Sequence, residues 1–184
     1  LDTIKILKFK PRTPLNIGNG MIKGMLVYTP PGYNPANTTK KYPVIVYFHG
    51  RGSMSNGSAQ NLCRIFSADQ KSLPFRIETG NVIPQVYWGG VTHQYIVVAP
   101  QYLYYNYPTL YATATHVEQV LNFLDTAYRI DRKRVYLTGM STGANMVMEY
   151  ASSTPQRASR VAAINMASLC SSVGKVPNDT LAPK

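Results

Sequence analysis

The chemistry-bearing stretch of this chain is Arg134–Ala151, RVYLTGMSTGANMVMEYA. Its centre is Gly139-Met140-Ser141-Thr142-Gly143, a G-x-S-x-G pattern with Ser141 in the middle. A serine on a tight turn between a strand and a helix projects its hydroxyl clear of the backbone. The first N–H groups of the helix then face any negative charge that develops beside it. Glycine suits positions 139 and 143, where a side chain would crowd the turn. By composition alone the pentapeptide arises in about one chain in twenty of this length, so the pattern by itself decides little. Its context decides more. Val135–Thr138 predicts a buried strand, and the segment from about Ala144 predicts an amphipathic helix.

The elements that must position this turn are legible on either side. Leu1–Lys10 alternates Ile4, Leu7 and Phe9 with Lys5, Lys8 and Lys10, predicting an edge strand guarded by lysine. Met21–Thr29 predicts a second strand, stopped by Pro30-Pro31-Gly32. Pro43–Phe48 (PVIVYF) and Tyr95–Ala99 (YIVVA) are continuously apolar, the habit of strands covered on both faces of a parallel sheet. The second is expected to close at Pro100. Ala59–Ser67 predicts a short helix, and Asp69–Gln94 carries no decisive pattern. Thr115 and Glu118 have capping-box spacing and predict a helix with Val117, Val120, Leu121, Leu124 and Tyr128 on one stripe. Arg160–Ala167 predicts a last buried strand. Strands alternating with helices imply a single α/β domain over 1–184, built on a mostly parallel sheet flanked by helices. Ligands of such sheets bind beyond the carboxyl ends of the strands. The loops His49–Ser53, Gln101–Tyr111 and Gly139–Gly143 all follow strands and are therefore expected along one edge.

Composition narrows the classes. Nineteen Lys and Arg against eight Asp and Glu give a net charge of +11. The excess is spread along the chain without a nucleic-acid-binding motif, so no nucleic acid partner is expected, whereas an acidic partner or an anionic cell surface suits the charge. No apolar run has the length of a membrane span. Cys63 and Cys170 are the two cysteines; they permit one disulfide and no metal site, and no cofactor is expected. A composition rich in Tyr, Asn, Thr and Ser leans toward an extracytoplasmic protein. The absence of Met at position 1 suggests a processed protein or a fragment.

Four segments in order, PPGYN (30–34), YPVIVYFHGRGS (42–53), YIVVAPQ (95–101) and YRIDRKRVYLTGMSTGANM (128–146), resemble the α/β-hydrolase superfamily. The resemblance is to its esterase branch, which includes feruloyl and acetylxylan esterases and polyhydroxybutyrate-depolymerase-like enzymes, and covers roughly residues 20 to 167. It implies Ser141 as nucleophile of a secreted or cell-surface serine esterase. It also implies an oxyanion hole made by the backbone N–H groups of Thr142 and Arg51, with Gly52 as second choice. Two fixed donors stabilise the charge that acyl transfer places on the carbonyl oxygen. An acylated polysaccharide is one ester substrate this implies, with the tyrosines at 102, 104, 105, 107 and 111 as stacking faces or as packing.

One departure stands against this pattern. The family's order is Ser, then Asp or Glu, then His. Here His49, His93 and His116 all precede Ser141, and only Glu149 and Asp179 follow it. Neither acid is well placed. The expectation is therefore a hydrolase-like sheet incomplete at its C-terminus, with acid and base supplied by a C-terminal remainder or a partner chain. The alternative is a catalytically degenerate hydrolase-fold module with a binding or structural role in a surface assembly.

Overall fold

A computed structural model describes residues 8–17, 20–103 and 113–168. Eight strands are described. In chain order these are β1 Lys10–Arg12, β2 Ile22–Tyr28, β3 Tyr42–Phe48, β4 Gln85–Trp88, β5 Val91–Gln94, β6 Ile96–Tyr102, β7 Ile130–Met140 and β8 Ala163–Ala167. The helices are α1 Arg64–Ser67, α2 Leu73–Glu78, α3 Ala114–Ala127, α4 Thr142–Ser153 and α5 Pro155–Ser159. Six strands form one sheet in the order β1-β2-β6-β3-β7-β8, and β4 and β5 form a separate hairpin. The β6-β3-β7-β8 portion is parallel, and β1 and β2 extend it antiparallel.

The continuous apolar runs have the expected cause. Along β3, Val44, Val46 and Phe48 face α3 and α4, where they meet Val117, Val120, Leu121, Leu124, Met146, Val147 and Tyr150. Tyr47 points to the opposite face with Val97 and Ala99 of β6, against Leu62, Ile65, Phe66 and Ile77. Both faces of the central strands are therefore removed from water. The second layer stops short of β7 and β8. There a groove of about 370 Å³ runs over Ile45, Tyr95, Tyr136, Leu137 and Ile164. β8 forms the sheet's outer edge, its residues alternating between exposed and half-buried.

Several expectations shift. The edge strand lies at Lys10–Arg12, whereas residues 1–7 fall outside the described part. Phe9 is buried, and its N–H and that of Lys8 donate to the Glu78 carboxylate. The expected helix at 59–67 is regular only from Arg64. The strand expected to close at Pro100 continues to Tyr102. Its ladder to β3 ends at Val98, so Pro100 removes no donor from that side, and the pairing with β2 runs on. The capping box uses Thr113 and His116 in place of Thr115 and Glu118. Glu118 instead binds Arg160 and Arg157, and Arg160 also reaches Asp125, tying α3 to the end of α5. The serine strand, expected over Val135–Thr138, is longer and runs from Ile130 to Met140. The last strand is shorter, Ala163–Ala167, and it is exposed or half-buried in place of the expected burial because it stands at the edge of the described sheet.

Candidate active site

Ser141 sits between the last residue of β7 and the first of α4 with φ 52° and ψ −117°. A non-glycine residue there costs on the order of 1–3 kcal/mol and persists only where its surroundings over-determine it. They do so through glycine. A Cβ on Gly143 would fall on the carbonyl groups of Phe48 and His49, at the end of β3. One on Gly139 would fall on Gly143 itself, with Ala144 N at 2.6 Å. The strand end, the turn and the helix start are thus in backbone contact, which only glycine permits. The Ser141 N–H donates to the Ala167 carbonyl at 2.9 Å, continuing the parallel ladder with β8 into the turn. The first N–H to bond within α4 is that of Asn145, to Ser141 O at 3.1 Å; those of Thr142, Gly143 and Ala144 precede it. Two buried oxygens of this turn, Thr142 Oγ1 and Asn145 Oδ1, have no partner among the described residues.

The loop after β3 lies against the serine. A Cβ on Gly50 would meet Ser141 Cβ at 3.5 Å. Arg51–Ser53 is a single 3₁₀ turn, whose first internal bond is from Ser53 N–H to Gly50 O. Arg51 and Gly52 stand ahead of that bond. The structure therefore brings Ser141, Thr142, Arg51 and Gly52 onto one edge.

Two neighbouring residues at the end of β6 hold this loop. Gln101 is fully buried, and its side chain makes three bonds. Its Oε1 accepts from Gly57 N–H at 3.1 Å, and its Nε2 donates to Ser53 O and Asn61 O, both at 2.9 Å. Tyr102 stacks on the His49 ring at a centroid distance of 3.9 Å, and its hydroxyl donates to the His49 carbonyl. The Tyr102 carbonyl accepts from Ser55 N–H at 3.1 Å. One cue to this clamp stands in the sequence, a glutamine near the end of an otherwise apolar strand. Tyr102 is thus a packing residue. The other tyrosines of the 104–111 stretch lie outside the described residues. A cleft of about 410 Å³ opens beside the same loop, lined by Met54, Ser55, Asn56, Arg64 and Leu103.

The three histidines are each committed elsewhere. His49 is buried; its Nδ1 donates to Gly50 O at 2.7 Å and its Nε2 accepts from Tyr102 N–H at 3.4 Å. Burial pushes its pKa down to about 4. His116 Nδ1 accepts from Thr113 N–H at 2.9 Å, which places the neutral ring's proton on Nε2. Burial lowers its pKa as well. His93 Nδ1 lies 2.8 Å from Arg134 NH1, on β5 near the start of β7. Arg134 lies seven residue steps before Ser141 along the chain, roughly 23 Å at the usual rise. Glu149 is exposed on α4, and Asp179 lies outside the described residues. Cys63 carries a free thiol that donates to Gln60 O at 2.9 Å; Cys170 is also outside the described residues. No group of metal-ligating side chains is found among the described residues, and no helix is long and apolar enough to cross a membrane.

Comparison with solved structures returns esterases and a putative dipeptidyl aminopeptidase IV of Bacteroides ovatus. A thermostable esterase superposes with a TM-score of 0.54 at 20% identity, covering 86% of this chain and 40% of its own. Esterase 2 of Thermogutta terrifontis, phosphonylated by sarin, gives 0.50 at 14% identity, covering 90% and 55%. The feruloyl esterase module of Clostridium thermocellum gives 0.49 at 22% identity, covering 85% and 53%. This chain thus spans between 40% and 55% of the length of these proteins. No curated protein matches it. The family model described as "Putative esterase" matches residues 22–175, well over half of the chain, and the chain belongs to that esterase family of the α/β-hydrolase fold.

Proposed function

We propose that this chain carries the nucleophile half of a serine hydrolase acting on carboxylic esters. Ser141 attacks the ester carbonyl and expels the alcohol, and water then hydrolyses the acyl-enzyme. The N–H groups of Thr142 and Arg51, with Gly52 as the alternative second donor, receive the charge on the carbonyl oxygen. The observation that carries the reading is the strained Ser141, held between β7 and α4 with Gly50 so near that a Cβ placed on it would meet Ser141 Cβ at 3.5 Å. One oxyanion must touch both loops, and here both loops meet.

The proton of Ser141 is assigned to a group outside the described residues: His49 spends both ring nitrogens on Gly50 and Tyr102, His93 lies at the far end of the strands beside Arg134, and His116 is tied through Nδ1 to Thr113 at the start of α3. The unpartnered Thr142 Oγ1 and Asn145 Oδ1 support this, since buried oxygens beside the serine are what a further segment would satisfy. We assign the acid and base to a C-terminal remainder or a partner chain, an acylated polysaccharide to the substrate class, and an extracytoplasmic setting to the protein. The second reading, a degenerate module that only binds, is favoured by the same engaged histidines.

The test is chemical. The native gene product is treated with a fluorophosphonate, digested with trypsin, and the Val135–Arg157 peptide is weighed. An adduct on Ser141, with p-nitrophenyl ester turnover abolished in Ser141→Ala, is the expected result. Residues 1–184 alone are expected to turn over slowly, retaining at most about 10³-fold over water, as serine hydrolases do without a working triad. A native product with neither adduct nor turnover overturns the esterase reading in favour of the binding module. Fast Ser141-dependent turnover by residues 1–184 alone refutes the assignment of the base to another segment.

A further inference from the structure

The large apolar side chains that stand exposed among the described residues are Ile83, Val86, Tyr87, Trp88 and Val91, all within one stretch of nine positions. Tyr87 is 72% exposed and Trp88 77%. Scattered exposed apolar residues need no explanation, but a contiguous set marks an interaction surface. These belong to the β4–β5 hairpin and its approach. Trp88 pairs with Val91 and Val86 with His93, so Val86, Trp88 and Val91 share one face at the tip. Gly89 and Gly90, with φ of 57° and 77°, make the turn, and nothing lies within 4 Å of a Cβ placed on either. The tip is open to solvent.

The base of the hairpin is anchored and basic. His93 is held by Arg134, and Arg134 by Asp131 at 2.8 Å. Lys133 and Arg132 stand exposed beside them, Arg132 with its Nε on Asp125 of α3 at 3.0 Å, and Lys41, also exposed, acts on the same Asp131 carboxylate. Lys40 precedes it at the entry to β3. A few of the chain's basic side chains are therefore grouped at the base of the hairpin.

We propose that the β4–β5 hairpin seats the protein peripherally on an anionic lipid surface. Trp88, Tyr87, Val86, Val91 and Ile83 enter the boundary between headgroups and acyl chains, and Lys40, Lys41, Arg132 and Lys133 face the headgroups. Trp and Tyr suit that boundary because one part of each ring is apolar and another polar. Ile and Val favour lipid over a sugar ligand: they gain by entering hydrocarbon and offer no flat face to a sugar ring. Basic residues near an anionic leaflet add attraction that falls off within a Debye length. The seat leaves Ser141 at the opposite ends of the strands. From Val135, level with the start of β6, to Ser141 is roughly 20 Å of β7. The proposal does not depend on the esterase reading, and its test reads no turnover.

Trp88 is the single tryptophan of the sequence, so its emission reports on the tip directly. The purified protein is mixed with vesicles of phosphatidylcholine, with or without phosphatidylglycerol, and followed by fluorescence and co-sedimentation. Expected are sedimentation with the anionic vesicles only, a blue shift of Trp88 emission, and loss of both in high salt. Lys41→Glu with Lys133→Glu should weaken binding on the order of tenfold or more while leaving the melting temperature unchanged. Tyr87→Ser with Trp88→Ser should abolish sedimentation. Four results overturn the proposal: no binding, equal binding to neutral vesicles, capture by polygalacturonate without a blue shift, and a concentration-dependent blue shift without vesicles, which would mark a second copy. Emission already at short wavelength before vesicles are added would show the tip covered by further chain and would also overturn it.

Discussion

Replacing Gln101 by Leu keeps its approximate volume and removes only its polar atoms. Three bonds disappear, those to Gly57 N–H, Ser53 O and Asn61 O. The site is fully buried, so water has no ready access to the three backbone groups left behind. An unsatisfied buried group costs about 1–3 kcal/mol, and partial relaxation of the loop lowers the sum, giving roughly 3–5 kcal/mol for the three. For a domain of this size each kcal/mol is about 2–4 °C, so the melting temperature should fall by roughly 6–20 °C. Little of the loop has freedom to follow. Gly57 is packed backbone to backbone against Gly24 of β2, where a Cβ would lie 2.9 Å from Gly57 C. The strain should therefore run toward Ser53 and the Arg51–Ser53 turn. In a catalytically complete protein, a shift of that turn by about 1 Å should lower kcat about 10²-fold with KM nearly unchanged, because a misplaced donor acts on the transition state. Urea unfolding and ester kinetics measure the two effects. A Gln101→Leu protein within about 0.5 kcal/mol of wild type would refute the clamp, since ordinary surface substitutions fall in that range.

Two further substitutions test the backbone contact at the turn. Gly143→Ala must push the β3 and α4 backbones apart and should cost about 3 kcal/mol or more, whereas Gly50→Ala meets only ordinary contacts at 3.5 Å and should stay within about 0.5 kcal/mol; equal melting temperatures would refute the distinction. His49 supplies a pH test. Its folded pKa, about 4, lies below its unfolded value near 6.5, so the unfolded chain takes up the proton first. Stability from this group is complete above pH 6.5 and declines as pH falls toward 4, by about 3 kcal/mol in all, and His49→Gln should flatten that part of the profile in denaturant melts.

The central strands were legible because burial on both faces leaves a mark that one sequence shows on its own: an unbroken β-branched run. PVIVYF and YIVVA carry it, whereas the serine strand, fully covered on one face only, alternates buried with half-buried residues. The serine turn was legible for a related reason, since Gly139 and Gly143 are demanded by backbone contacts that any such turn must make. Local signals failed where a distant partner decided the outcome. Thr115 and Glu118 had the spacing of a capping box, but Glu118 is held by Arg160, forty-two residues away, and His116 caps in its place. Pro100 reads as a stop, yet its strand continues because β2 still pairs with it. The β4–β5 hairpin was illegible for the opposite reason. Its apolar residues have no core to face, and periodicity arguments assume one.

The strain at Ser141 bears on the choice between enzyme and binding module. A scaffold that only binds has no physical need for a serine at φ 52°, at a cost of about 1–3 kcal/mol, since a relaxed turn could join β7 to α4 as well. Nor does it need Gly139 and Gly143, which bring three backbones within contact of one another. What such a turn achieves is to aim one hydroxyl away from the sheet, beside the N–H groups that begin α4. The buried polar work around it points the same way. Gln101 and Tyr102 place polar contacts on the loop facing Ser141, and His49 is held neutral between Gly50 and Tyr102. Each of these holds the loop that follows β3. On the proposed reading, electrostatic stabilisation is built into the rigid half and proton transfer comes from elsewhere. The two functions are therefore separable by experiment. Restoring a base should raise the rate of attack by Ser141 without moving the loop, whereas Gln101→Leu should disturb the loop whether or not the base is present.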